Sequence, residues 1–307
     1  MPETEQQQQD TTSLSMRGGR RAPWPWWAEP ASAWGAGTAA GLAVLAGLLR
    51  LAGWSVTPPL AWIEPVACAW AGVAAVLTLM RRLPLENAVG GGLTLLILSL
   101  MVCALSAHSG IPLGEIEYSP RLGPRVFGLV PLTLPFLWTA VMLTSREAAR
   151  LILRPWRRDP FYGYYLVTVA AVLTALMAAI IEPYAVQAGH WWLWPKAPER
   201  FNWGGAPPGS LVVWLLAATF MLMAATVYLV PKRPIHSSPS LHPVWIWLGL
   251  GVWFILGEAG QGLWREVAVG TLIVLVVGAL SWRGYQISLA AIIRRAEAAA
   301  AAEAEGG

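Results

Sequence analysis

The chain is organised by long apolar runs that alternate with short polar segments. A helix that spans a bilayer needs about 20 mostly apolar residues. We therefore predict an all-α, polytopic transmembrane bundle of about eight helices, with seven as the nearest alternative because the last two runs are short. The predicted spans are Trp34–Leu51, Leu60–Met80, Ala88–Ala107, Phe127–Leu143, Tyr164–Ile181, Leu211–Val230, Pro243–Leu256 and Val267–Trp282.

Composition supports the same class. The chain of 307 residues is 56% hydrophobic and 12% charged, and it contains 19 tryptophans. A soluble fold of this size cannot bury so much apolar surface in one core. Lipid is therefore the expected solvent for much of the surface.

The basic residues fall almost entirely on alternate connecting segments. If the N-terminus is cytoplasmic, fifteen of the 21 Lys and Arg residues lie on the inner side and six on the outer side. This asymmetry predicts a multi-pass protein with both termini in the cytoplasm, in the cell (inner) membrane. The net charge of +4 is then a topology signal and a contact for anionic lipid head groups, and no nucleic-acid partner is expected.

Three regions follow from this layout. Residues 1–33 are predicted to be a disordered tail with an interfacial tryptophan anchor at Trp24, Trp26 and Trp27,. Residues 34–283 form the transmembrane domain, and residues 284–307 form an Ala-rich helical tail. No signal peptide is predicted, because nothing apolar precedes the pair Arg20-Arg21.

Few residues in the apolar runs can carry chemistry. Cys68 and Cys103 lack the spacing of a metal or redox pair, and the four histidines are scattered, so no metal site is expected,. Two carboxylates stand at helix boundaries, each followed by proline: Glu64-Pro65 and Glu182-Pro183. A carboxylate at the edge of an apolar helix is protonated, paired or turned to water. Each of the two glutamates is therefore either a candidate catalytic residue or a residue whose side chain reaches water at the membrane interface.

Two outer segments, residues 108–125 and 182–210, are rich in Gly, Pro, aromatic and charged residues. The second is long for a helix connection, and such loops more often bind or cover a ligand than act as spacers. Its tryptophans are expected either to form an interfacial belt or to line a pocket for a long apolar substrate.

In these segments the chain resembles the carotenoid biosynthesis membrane protein family, which includes hydratases of the bisanhydrobacterioruberin type. The resemblance covers roughly residues 100–230 and departs from the family pattern at Ile116, at Glu182 in place of Asp, at Ser210 in place of Asn, and at Cys103, near which an acid is expected. The residues that carry it are Gly110-Ile111-Pro112-Leu113-Gly114, Tyr118, Leu122-Gly123, Gly128-Leu129-Val130-Pro131, Pro135, Trp138, Glu182-Pro183, Trp192-Leu193-Trp194, Gly205-Ala206-Pro207 and Trp214.

The resemblance implies that water is added to the terminal double bond of an acyclic carotene end, without a metal, nucleotide or redox cofactor. Glu182 is then the expected proton donor, and Glu117 or Glu115 would orient the water. Arg125 would keep one of these carboxylates ionised. Aromatic groups would hold the substrate and stabilise a cation by about 1–2 kcal/mol; the candidates are Tyr118, Tyr184, Trp192, Trp194 and Trp214.

Two other functions stay open at this point. One is a transporter or a lipid- or isoprenoid-binding protein, which would be expected to have polar groups near the middle of the membrane. The other is a scaffold without catalytic activity for neighbouring carotenoid enzymes. The expected partners are accordingly a carotenoid or another long isoprenoid, membrane lipids, and other enzymes of carotenoid biosynthesis.

Overall fold

The computed structural model describes residues 27–53, 60–195, 202–207, 209–230 and 238–306. Within these ranges the chain forms eight α-helices, which confirms the predicted all-α bundle. They are α1 (Ala28–Leu51), α2 (Ile63–Leu79), α3 (Leu85–Ser109), α4 (Leu134–Ile152), α5 (Tyr162–Pro183), α6 (Gly209–Leu229), α7 (His242–Gly260) and α8 (Trp264–Gly306).

Six of the described helices are long and apolar enough to cross a membrane: α1, α3, α5, α6, α7 and α8. Large apolar side chains such as Met101, Phe220 and Leu272 are exposed on their outer faces, as expected for surfaces that contact lipid. The protein is therefore a multi-pass membrane protein. The cytoplasmic placement of both termini stays a prediction.

The last two helices are longer than predicted. Helix α7 has 19 residues, and α8 runs for 43 residues without interruption through the Ala-rich tail. Helix α1 begins at Ala28, before the predicted Trp34. Residues 1–26 of the predicted disordered tail, with Trp24 and Trp26 of its anchor, lie outside the described residues. The prediction of disorder is wrong for residues 28–33, which form the first turns of α1.

Helix α4 occupies the centre of the bundle and contacts α2, α3, α5, α7 and α8. Nearly all its side chains from Leu137 to Ala149 are buried. Several of its polar groups find partners inside the protein: Thr144 donates to the carbonyl of Ala140, and Arg146 donates to Glu147 and to the carbonyl of Leu229. A helix surrounded by other helices does not need an apolar surface for lipid, which explains why α4 is more polar than the spanning helices.

The predicted span Phe127–Leu143 is wrong at its beginning. The chain first forms a small hairpin from β2 (Arg125–Val126) and β3 (Val130–Pro131), and α4 starts only at Leu134. Phe127 and Gly128 both have positive φ angles, 51° and 72°, which the tight reversal between these strands requires. The apolar residues of the hairpin extended the hydropathy run beyond the helix.

A second strand pair joins the two outer segments. Strand β1 (Glu117–Tyr118) pairs antiparallel with β4 (Trp192–Leu193), so that Tyr118 lies opposite Trp192. This pairing holds the loop between α3 and α4 against the loop that follows α5. It fixes the tryptophans of the second loop above the end of the bundle.

Candidate functional site

Glu182 lies where α5 loses its regular geometry. The next residue, Pro183, has no backbone N–H and leaves the carbonyl of Ala179 without its helical partner. The indole of Trp203 donates to that carbonyl at 2.6 Å. The chain then continues as one π-helical turn, Tyr184–Ala188, a distortion that often accompanies functional sites.

Three tryptophans surround the carboxylate of Glu182, which is 1% exposed. Trp192 and Trp194 donate their indole N–H groups to Oε2 at 3.1 and 3.2 Å, and Trp214 of α6 donates to Oε1 at 3.0 Å. We call these four residues the Glu182 cage. Among the described residues, no basic side chain forms an ion pair with Glu182.

The two oxygens of Glu182 are not equivalent. Each carboxylate oxygen has about two positions for accepting hydrogen bonds. On Oε2 both are taken by Trp192 and Trp194, whereas on Oε1 Trp214 is the one donor among the described residues. A proton carried by this carboxyl group therefore belongs on Oε1, on the side of Trp214.

Tyr118 contributes to the wall of the cage. Its ring meets that of Trp192 edge-on, with centroids 6.1 Å apart. Burial raises the pKa of the Tyr118 phenol well above its usual value of 10.0, and its neighbours Cys103 and Glu182 add to the shift. Tyr118 is therefore a neutral hydrogen-bonding group at physiological pH and cannot act as a base.

A second buried carboxylate, Glu64, begins α2 beside a different set of partners. Its Oε1 accepts from Arg50 Nε and from the hydroxyl of Tyr184, both at 2.6 Å, and its Oε2 accepts from Trp191 Nε1 at 2.9 Å. Trp253 of α7 donates in turn to the Tyr184 hydroxyl at 3.0 Å. We call these five residues the Glu64 cluster.

Neighbouring residues of one segment serve the two carboxylates. Trp191 donates to Glu64, while Trp192 donates to Glu182. Likewise Glu182 and Tyr184 are two residues apart and belong to different sites, because positions i and i+2 point to opposite sides of a helix. The distorted end of α5 thus separates two polar sites inside the bundle.

The structure brings together only some of the predicted site residues. Trp192, Trp194 and Trp214 all contact Glu182, but through their N–H edges and not through the aromatic faces predicted to stabilise a cation. Tyr184 belongs to the Glu64 cluster. Glu115, Glu117 and Arg125 are exposed on the loop between α3 and α4, whereas Glu182 is buried, and their predicted roles stay predictions.

An apolar groove of about 190 Å³ lies between α2 and α3, and α4 forms its base. It is lined by residues such as Val76, Leu93, Leu96 and Phe136 and contains almost no polar surface. Neither Glu64 nor Glu182 lines it. The groove can accept a hydrocarbon chain but cannot itself perform acid–base chemistry.

The Glu64 cluster is the part of the site that sequence reasoning missed. Arg50, Trp191 and Trp253 come from three distant parts of the chain, and nothing in their local pattern indicates that they meet. The repeated Glu-Pro junction was the available signal, since both glutamates prove to be buried and bonded to indole N–H groups.

Comparison with known proteins assigns the chain to a family. The family model described as "Carotenoid biosynthesis protein" matches residues 63–278, more than half of the chain. The chain belongs to the carotenoid biosynthesis protein family. The match includes Glu64, Glu182 and all three tryptophans of the Glu182 cage, whereas Arg50 precedes it.

One curated relative can be aligned with this family member. Over 155 residues the chain is 28% identical to the bisanhydrobacterioruberin hydratase of Haloarcula japonica. The alignment covers 48% of this chain and 50% of the relative, so the chain spans about half the length of the protein that it matches. No solved structure matches the chain significantly.

Proposed function

We propose that this protein hydrates the terminal double bond of an acyclic carotene end inside the membrane, with Glu182 as the acid. The observation that supports this most directly is a fully buried carboxyl group that has three neutral donors and, within the described residues, no cationic partner. Membership of the carotenoid biosynthesis family and the named activity of the relative point to the same substrate class.

The environment of Glu182 suits a group that must exist both with and without its proton. An ionised carboxylate in an apolar interior is unfavourable without a compensating charge. The three indole donors offset part of that cost, so the ionised form is accessible. The open position on Oε1 leaves room for the proton of the neutral form.

The reaction can be written with this one carboxyl group. Oε1–H of Glu182 gives its proton to the CH carbon of the terminal alkene, which leaves a tertiary cation on the neighbouring carbon. Water forms a C–O bond to that carbon, and the resulting oxonium loses a proton to Glu182. One water is added, no electron is transferred, and the acid is regenerated.

The proposal is tested by expressing the protein in a host engineered to accumulate lycopene, with an empty vector beside it. We expect a product heavier by one water, detected by chromatography with mass detection. Glu182→Gln should lower its yield at least about 100-fold, because proton transfer by a positioned side chain contributes at least this much. Unchanged yield in that variant would contradict the assignment of the acid.

The control variant is Glu86→Gln, which removes an exposed carboxylate from the first turn of α3. It should retain product formation if Glu182 alone handles the proton. An unmodified pigment recovered with wild-type protein, present in the membrane at normal levels, would contradict hydration of lycopene. Retention of the pigment by the purified protein in that case would favour the isoprenoid-binding alternative.

A further inference from the structure

Six buried side-chain polar atoms in the described part of the chain have no hydrogen-bond partner. They are Arg50 Nη2, Trp138 Nε1, Ser210 Oγ, both carboxylate oxygens of Glu258, and Ser281 Oγ. Buried polar groups are nearly always paired, so each of these atoms calls for an explanation. Two of them, on Trp138 and Ser210, flank the same residue of the Glu182 cage.

That residue is Trp214, the donor to Glu182 Oε1. The ring of Trp138 stacks on the ring of Trp214 with centroids 3.6 Å apart and an interplanar angle of 25°. Ser210 precedes Trp214 by four residues on α6, so both lie on the same face of that helix. Trp138 and Ser210 are 1% and 2% exposed, which closes both polar atoms off from bulk solvent.

The chemistry of these atoms fits one small oxygen ligand. An indole N–H only donates, whereas a hydroxyl both donates and accepts. Glu182 Oε1, which accepts from the same Trp214, adds one acceptor position. A water molecule can accept from Trp138, donate to Glu182 and pair with Ser210 in either sense, which gives it the three bonds typical of buried water.

We infer that Trp138 Nε1 and Ser210 Oγ form the subsite that holds the water added to the substrate. The inference rests on the proposed function and completes it by giving the water a place beside the acid. After Glu182 protonates the alkene, the held water forms the new C–O bond and returns a proton to Oε1. Without a positioned water, the cation can only lose a proton again and revert to an alkene.

The two fates of the cation, hydration and return to the alkene, can be measured with detergent-solubilised protein and lycopene in D₂O. When the alkene is protonated and the cation then loses a proton, deuterium enters the recovered alkene. When water captures the cation, the hydrated product forms. The two test variants are Ser210→Ala and Trp138→Phe, the second of which preserves an aromatic ring for stacking. In both we expect hydration to fall about tenfold or more, because the water is no longer held in position. Deuterium exchange into the recovered alkene should continue, so the ratio of exchange to hydration should rise by the same factor.

Ser281→Ala is the matched control, because Ser281 is a buried and unpaired serine on α8. Its exchange-to-hydration ratio should equal that of the wild type. The inference is overturned if Ser210→Ala and Trp138→Phe behave like this control. It is equally overturned if exchange and hydration fall together in both variants, because the role of these residues would then be structural.

A second measurement does not depend on activity. In protein labelled with ¹⁵N-tryptophan, the indole N–H of Trp138, assigned by its loss in Trp138→Phe, should show a cross-peak to water that Ser210→Val abolishes. Absence of this cross-peak in the wild type overturns the subsite. Its presence in a wild type that neither exchanges nor hydrates lycopene would support the subsite and contradict the proposed reaction instead.

Discussion

Glu64 and Glu182 have much in common but differ in one partner. Each precedes a proline at the end of a helix, each is buried, and each accepts hydrogen bonds from indole N–H groups. Glu64 also binds Arg50 at 2.6 Å, whereas within the described residues Glu182 has neutral donors alone. The arginine distinguishes the two sites, because it places a permanent positive charge against Glu64.

A carboxylate that is paired with a buried arginine is poorly suited to deliver a proton. The Glu64 cluster instead links α1, α2, the π-helical turn and α7 through hydrogen bonds to Glu64 and to its partner Tyr184. Within the described residues Glu182 has no such cationic partner, which is why we propose Glu182, and not Glu64, as the acid. We therefore expect substitutions at the two sites to affect different properties of the protein.

The largest effect on stability should come from Glu64→Gln. This change leaves Arg50 buried without a counter-charge, and breaking a buried ion pair in this way costs about 3–5 kcal/mol. Glu182→Gln leaves no charge behind and should cost less, about 1–3 kcal/mol, because one indole donor loses its acceptor. Chemical denaturation in detergent micelles measures both.

The double variant Arg50→Met/Glu64→Gln provides the control for this comparison. It removes the uncompensated charge, so it should be more stable than Glu64→Gln alone. If the double variant is the less stable of the two, the stability of the cluster does not depend on the ion pair. The proposed difference between Glu64 and Glu182 would then be contradicted.

The bundle could be predicted from sequence because hydropathy and charge are local properties. Eight apolar runs correspond to eight helices in the described residues. Helices α1, α7 and α8 extend beyond their predicted spans. The predicted start of α4 is too early, because the hairpin residues from Phe127 to Val130 are as apolar as a helix. The Glu-Pro junction at Glu182 likewise indicated a polar group at a helix end.

The partners of that group could be predicted only in part. Trp192, Trp194 and Trp214 were expected near Glu182 through the family resemblance, but the pattern did not show that their N–H groups would point at the carboxylate. The exposed position of Glu117 depends on the alternation along β1, a strand of two residues, which is too short to give a pattern. The Glu64 cluster depends on packing of α1 against α7, which no local signal encodes.

The next largest effect, a loss of hydration activity, should come from removing an indole donor to Glu182. Trp214→Phe keeps the aromatic ring but removes the hydrogen bond to Oε1, the oxygen expected to carry the proton. A hydrogen bond to a charged group contributes about 1.5–3 kcal/mol, so hydration per folded molecule should fall about 10- to 100-fold. Product formation normalised to protein in the membrane measures this.

Trp191→Phe is the matched change at the other carboxylate, since it removes one indole donor from Glu64. It should lower stability by a similar free energy, about 1.5–3 kcal/mol, and leave hydration per folded molecule close to that of the wild type. If Trp191→Phe reduces hydration as much as Trp214→Phe does, both carboxylates take part in the reaction.

The smallest effect should come from the packing behind the Glu64 cluster. Gly257 of α7 lies directly against the ring of Tyr184, and a Cβ at this position would overlap that buried ring. Gly257→Ala should therefore shift Tyr184 away from Glu64 and destabilise the protein by about 1–3 kcal/mol, the usual cost of overpacking. The Glu182 cage, on the opposite side of the distorted helix end, should keep its activity per folded molecule.

Gly37→Ala is the control, because a Cβ at Gly37 on α1 meets no other atom within 4 Å. It should be neutral or stabilise the helix by roughly 0.5–1 kcal/mol, the usual gain of alanine over glycine. Thermal unfolding in detergent compares the two variants, and pigment analysis measures activity. Loss of hydration in Gly257→Ala at normal levels of folded protein would show that the two carboxylate sites are coupled through Tyr184 and do not act separately.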